Sequence, residues 1–229
     1  MNPRLIIPSL ITLGGVACAL LAIAWAGSHP FWACNAIVAA SLFDTVDGRI
    51  ARMLGAQSEF GAELDSLADI VAFGVAPAVL AYVWAPQLGP ELPGGLDIGI
   101  LVAFSYTACA ALRLARFNVA AASDSQTFQG IPTPVAALLV ATTIMMWHEI
   151  DAPFVRATGV LHAVLGGAAL LMVAPFPFPS FKHFKYRWTM ALYFGSMLGG
   201  LTMLFLGLPG GTVLLALLGV YLLRGVLRL

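Results

Sequence analysis

Residues 5–43 read LIIPSLITLGGVACALLAIAWAGSHPFWACNAIVAASLF, without one Asp, Glu, Lys or Arg. A spanning helix needs about 20 consecutive apolar residues. This stretch is long enough for two, and Gly27-Ser28-His29-Pro30 supplies the turn chemistry between them. In lipid every backbone polar group must bond within the protein, so runs of this kind are helical.

Further uncharged stretches follow at 70–90, 98–112, 125–148, 157–181 and 188–223. Among the 229 residues, 60% are hydrophobic and 10% are charged, and the mean hydropathy is +0.93. A soluble domain carries about 25% charged residues, so these side chains cannot coat a water-facing surface. The composition argues against a soluble enzyme, a disordered chain or a nucleic-acid binder. It predicts an all-α polytopic membrane protein, a single integral-membrane domain over 1–229. The expected spans are 8–27, 31–48, 64–85, 97–117, 132–148, 157–174, 188–207 and 211–226.

Charge placement supports eight spans. One side of the bilayer then receives Arg4, Arg49, Arg52, Arg113, Arg116, Lys182, Lys185, Arg187, Arg224 and Arg228. The other receives Arg156 with Glu91, Asp97, Glu149 and Asp151. Cytoplasmic loops are rich in Lys and Arg. Both termini and the basic edge are therefore expected in the cytoplasm, across an inner or plasma membrane if the source is bacterial. Cys18, Cys34 and Cys109 are scattered and read as packing residues. His29, His148, His162 and His183 show no ligand spacing. Tyr82, Trp84, Trp147, Tyr186 and Trp188 fall near span ends, as interfacial anchors do. The N-terminus does not read as a removed signal peptide.

The chemistry-bearing stretch begins where the first uncharged run stops. It reads Asp44-Thr-Val-Asp47-Gly48-Arg49-Ile-Ala51-Arg52, then eight residues, then Gly61-Ala-Glu-Leu-Asp65-Ser-Leu-Ala-Asp69. At about 100° per residue, Asp44, Asp47, Gly48, Ala51 and Arg52 share one side of a helix. Gly61, Asp65 and Asp69 share a face of the next. Four carboxylates gathered near a membrane repel one another and resist desolvation; protons or cations must hold them. An all-oxygen set suits hard divalent ions, and two such ions suit displacement at phosphorus. Gly48 and Gly61 leave room for a polyphosphate, and Arg52 offers a guanidinium fork. The plain alternative is an acidic edge paired with Arg49 and Arg52; the spacing of four Asp with two Gly on the same faces weighs against it.

The pattern D-x-x-D-G-x-x-A-R, eight residues, G-x-x-x-D-x-x-x-D resembles the signature of the CDP-alcohol phosphatidyltransferase family, matching every fixed position. The resemblance implies a six-helix core, here with two added C-terminal helices. It implies transfer of a phosphatidyl group from a CDP-linked lipid to an alcohol, with release of CMP. It assigns Asp44, Asp47, Asp65 and Asp69 to two divalent cations, Mn²⁺ or Mg²⁺, with Asp69 as general base. Gly48, Ala51, Arg52 and Gly61 would line the CDP site. Thr12 joins them through Pro8-Ser9-Leu10-Ile11-Thr12, which resembles the family's P-N-x-x-T with Ser9 in place of Asn. Family habit implies a homodimer.

Three shorter segments bear on the alcohol: Ala111-Leu-Arg113-Leu-Ala-Arg116-Phe-Asn118, Phe128-Gln-Gly130-Ile-Pro132-Thr133-Pro134, and Pro179-Ser180-Phe181-Lys182. Singly they also read as snorkelling arginines, a helix start with Pro in its first turn, and an interfacial belt. In this order they resemble the phosphatidylserine synthase branch, which implies CDP-diacylglycerol and L-serine as substrates among membrane lipids. A guanidinium can grip the serine carboxylate bidentately. Arg113 or Arg116 is expected to hold the serine carboxylate or lipid phosphate, with Asn118, Thr133 and Lys182 as further pocket residues. Glycerol phosphate, inositol or its phosphate, and choline stay open as acceptors. A cation-coupled transporter using the Asp cluster and a structural membrane protein are the rivals from other classes.

Overall fold

The structure is a computed structural model that describes residues 3–85, 93–95, 97–122, 130–150, 159–175 and 210–227. All regular structure among these residues is helical. The helices are α1 (Pro3–Trp25), α2 (Pro30–Met53), α3 (Glu59–Asp69), α4 (Ala76–Trp84), α5 (Ile98–Ala122), α6 (Thr133–Ile150), α7 (Val160–Val173) and α8 (Gly210–Leu227). A π-helical stretch, Ile70–Val75, joins α3 to α4 without a break.

Three segments are long and apolar enough to cross a membrane by length and composition: Ile6–Trp25, Glu59–Trp84 and Ile98–Ala120. Helix α2 is not among them. In α2 the acids and arginines of the motif lower the apolar average; Val160–Val173 of α7 and Gly210–Val220 of α8 are short apolar segments. The expected span 188–207 lies outside the described residues. The third expected span, 64–85, starts five residues earlier, at Glu59, because Ser58 caps it there. Its side chain accepts the Gly61 N–H at 3.0 Å.

The core centres on α6. Val135, Ala136, Ala137, Val140, Ala141, Ile144 and Met145 are all at most 1% exposed. Helices α2, α7 and α8 pack around it. Small side chains let these helices approach closely. Gly14 does the same between α1 and α2, where a Cβ would come within 2.9 Å of the Phe43 ring. Gly130 holds φ +78, and a Cβ there would overlap the Met172 carbonyl. Its neighbour Ile131 donates its N–H to Leu171 O at 3.1 Å, tying the entry of α6 to the end of α7.

At one end of the bundle Asp97 and Glu149 meet helix N-termini. Asp97 Oδ1 accepts the Ile100 N–H at 3.2 Å. Glu149, at the end of α6, accepts from the Gly211 N–H at 2.7 Å, the Thr212 N–H at 3.0 Å and the Thr212 hydroxyl at 2.7 Å. That carboxylate satisfies orphan donors of α8 and complements its positive end. The other end carries the motif acids, Arg113 and Arg116.

Candidate active site

The turn between α2 and α3 is fixed by backbone chemistry. Gly55 takes φ +58, its N–H reaches Arg52 O at 3.3 Å, and the Ala56 N–H reaches Ala51 O at 2.9 Å. These bonds form a Schellman closure, which glycine favours because the position is left-handed. The Ser58 cap then restarts the chain as α3. Neither Gly55 nor Ser58 figured among the expected site residues, although a glycine past a helix end and a serine before one are readable signals.

Helix α1 lies against both α2 and α3, whereas α2 and α3 barely touch. A narrow, open-sided cleft results. Thr12 and Gly15 of α1 line it, with Ala40, Asp44 and Asp47 of α2. Asp65, Ala68 and Asp69 of α3 face them, and Ala72 and Phe73 of the π stretch complete the wall. All four expected acids therefore share one pocket. Asp44, Asp47 and Asp65 each offer an oxygen within 4.8 Å of the others. Asp44 and Asp69 stand close enough to act on each other electrostatically. Asp47 is the most enclosed, at 4% exposed, and accepts the Thr12 hydroxyl proton on Oδ2 at 2.6 Å.

This donor set fits hard divalent ions. Oxygen ligands at about 2.0–2.6 Å from a metal stand no more than roughly 5 Å apart, which the three aspartates satisfy without rearrangement. Like charges at such separations, half withdrawn from water, cost several kcal/mol unless positive charge is supplied.

The residues beside the acids divide into two groups. Gly48, Ala51, Arg52 and Gly61 do not line the acidic pocket; they lie toward the α2–α3 turn, and Arg52 is exposed. A Cβ on Gly61 would sit 3.1 Å from Ser58 Oγ, crowding the cap. On the α5 side, half-buried Arg113 is within Coulombic reach of Asp69 and donates from Nη1 to Thr133 Oγ1 at 3.3 Å. Arg116 points elsewhere, donating to Val173 O at the end of α7 at 3.3 Å. Asn118 Nδ2 donates to Ser66 Oγ at 3.0 Å, bridging α5 to α3 at a position between Asp65 and Asp69 in the sequence of that helix. Lys182 lies outside the described residues.

The π stretch starts directly after Asp69. Its wider turn withdraws carbonyls from the α-helical ladder, and α5 answers them. Tyr106, fully buried, donates to Phe73 O at 3.0 Å, and Thr107 donates to Gly74 O at 3.2 Å.

The profile of the CDP-alcohol phosphatidyltransferase family matches residues 5–174. A Helicobacter pylori protein named CDP-diacylglycerol–serine O-phosphatidyltransferase is 35% identical over 236 aligned residues, covering 100% of this chain and 92% of its own. A Bacillus subtilis protein of the same name is 38% identical over 177 residues, 77% of this chain and 91% of its own. One from Methanocaldococcus jannaschii is 29% identical over 187 residues, 82% and 79% respectively.

Proposed function

The chain belongs to the CDP-alcohol phosphatidyltransferase family, and from that premise we propose that it is an integral membrane enzyme transferring the phosphatidyl group of CDP-diacylglycerol to the hydroxyl of L-serine, releasing CMP. The observation that carries this reading is the convergence of four aspartates on one pocket, with Arg113, bonded to Thr133, close enough to act electrostatically on Asp69. The relatives' names point to the same reaction.

Asp44, Asp47, Asp65 and Asp69 would hold two divalent cations, Mn²⁺ or Mg²⁺. When bound, these neutralise the pyrophosphate and the charge that develops on departing CMP. The chain's own residues do the rest. Gly48, Ala51 and Gly61 leave a groove toward the α2–α3 turn for the nucleotide, and the Arg52 guanidinium binds phosphate there. Arg113 pairs with the serine carboxylate, and its bond to Thr133 holds the fork in place. The serine hydroxyl gives its proton to the Asp69 carboxylate. Its oxygen forms a bond to the lipid-bearing phosphorus, and the pyrophosphate P–O bond breaks toward CMP. Holding both reactants in line supplies much of the rate.

Eight spans, cytoplasmic termini and a cytoplasmic active site complete the proposal. The parity of the described helices supports the count, because α7 ends at the Arg116 end and α8 begins at the Glu149 end. A homodimer is part of the reading, and native mass spectrometry of the solubilised protein tests it.

The acceptor is tested with purified protein in mixed micelles containing CDP-diacylglycerol and Mn²⁺. Serine, glycerol phosphate, inositol and choline are each offered as labelled acceptor. Phosphatidylserine as the dominant product supports the reading. Label passing preferentially into any other lipid replaces serine with that alcohol.

A further inference from the structure

We infer that Thr12 is a positioning residue for Asp47, and that α1 thereby sets the affinity of the metal pocket instead of contacting the nucleotide. The inference rests on the proposed metal-binding role of the aspartates. The Thr12 hydroxyl has one proton. Two acceptors stand within reach: Asp47 Oδ2 at 2.6 Å and Pro8 O, one turn back in the same helix, at 3.1 Å. An ionised carboxylate can only accept, and charge-assisted O–H···O⁻ bonds are both shorter and stronger than neutral ones. The proton therefore goes to Asp47.

Burial makes this commitment lasting. Thr12 is 8% exposed and Asp47 4% exposed, so water does not compete well for either. The bond holds Oδ2 of Asp47, whose carboxylate also offers an oxygen to the cluster it forms with Asp44 and Asp65. Its partner comes from another helix, so the bond also sets the rotation of α1 against α2. That contact includes Gly14 packed on Phe43 one turn before Asp47. Partners that orient a metal ligand commonly change metal affinity by about 10- to 100-fold when removed.

The test is direct Mn²⁺ binding to the detergent-purified chain, followed by electron paramagnetic resonance, alongside CDP binding at saturating Mn²⁺. Thr12→Val keeps the shape and removes the proton donor. Mn²⁺ affinity is expected to fall about tenfold, with CDP affinity at saturating metal within about twofold of wild type. Thr12→Ser, which restores a hydroxyl, should return Mn²⁺ affinity to nearly the wild-type value. In an Asp47→Asn background Thr12→Val should have no further effect, since the acceptor charge is gone. If Thr12→Val does not fold, Thr12→Ala and Thr12→Ser carry the same comparison. Unchanged Mn²⁺ binding in the hydroxyl-less variants, or a loss confined to CDP, overturns the inference. Wild-type protein that binds no Mn²⁺ at all would instead overturn the metal role on which it depends.

Discussion

Acidic residues stand at both ends of this bundle, and they are used in opposite ways. At one end Asp97 and Glu149 each point at the start of a helix. Their oxygens are occupied by backbone N–H groups and by Thr212. At the other end Asp44, Asp47, Asp65 and Asp69 turn toward one another across a cleft. Helix α1 helps to keep α2 and α3 apart there. A carboxylate whose oxygens meet N–H donors stabilises the fold. A carboxylate whose oxygens meet other carboxylates burdens the fold and becomes useful only when positive charge arrives. Where the acceptor atoms point, more than residue type or depth, separates the two.

The largest effects should come from the end where acids face acids. Asp69→Asn keeps the shape and removes the proton acceptor. Turnover is expected to fall about a thousandfold, within the range of general-base losses, while the melting temperature holds or rises as like-charge repulsion is relieved. Steady-state assay and thermal unfolding of the same preparation check this. Activity near wild type would break the contrast at its root.

Next come the two arginines of α5, which the structure assigns different partners. Arg113→Ala is expected to raise the serine KM by about 10-fold or more, the scale of losing a charge-assisted pair. It should leave the KM for CDP-diacylglycerol nearly unchanged. Arg116→Ala loses the bond to Val173 O and should leave both KM values within about twofold, as expected of an exposed site away from the pocket. Equal effects of the two would erase the distinction.

The capping end should respond in stability instead. Glu149→Ala removes the acceptor of three bonds at the start of α8. A loss of about 1–2 kcal/mol is expected, or a few degrees in Tm for a chain of this size. The kinetics should be preserved. Smaller again is Tyr106→Phe, which leaves the buried Phe73 carbonyl without its donor at a cost of about 1 kcal/mol. Thermal unfolding ranks the two, and a kinetic defect in Glu149→Ala without loss of Tm would show that the ends are not separate.

The all-helical class and the acidic cluster were legible in the sequence. Apolar runs report burial in lipid directly, and i, i+4, i+8 spacing places Asp65 and Asp69 on one face whatever surrounds them. The turn between the motif helices was legible in principle through Gly55 and Ser58. Other features depend on how helices rotate against each other. Arg113 and Arg116 are three residues apart and share a broad face; the contact of Arg116 with the end of α7, a segment 57 positions away, divides them. The π stretch at Ile70–Val75 left no periodicity signal, because its cost is met by Tyr106 and Thr107 on another helix. Thr12 was expected at the nucleotide, and its bond to Asp47 became visible only once α1 lay against α2.

The most direct measurement is CMP release from CDP-diacylglycerol by the purified protein, with serine and Mn²⁺ each present or withheld. Release that needs both, ceases on chelation, returns on adding Mn²⁺ and is lost in Asp69→Asn is the expected result. Release that persists without divalent metal, or a wild-type protein that moves cations across vesicles and frees no CMP, would contradict it.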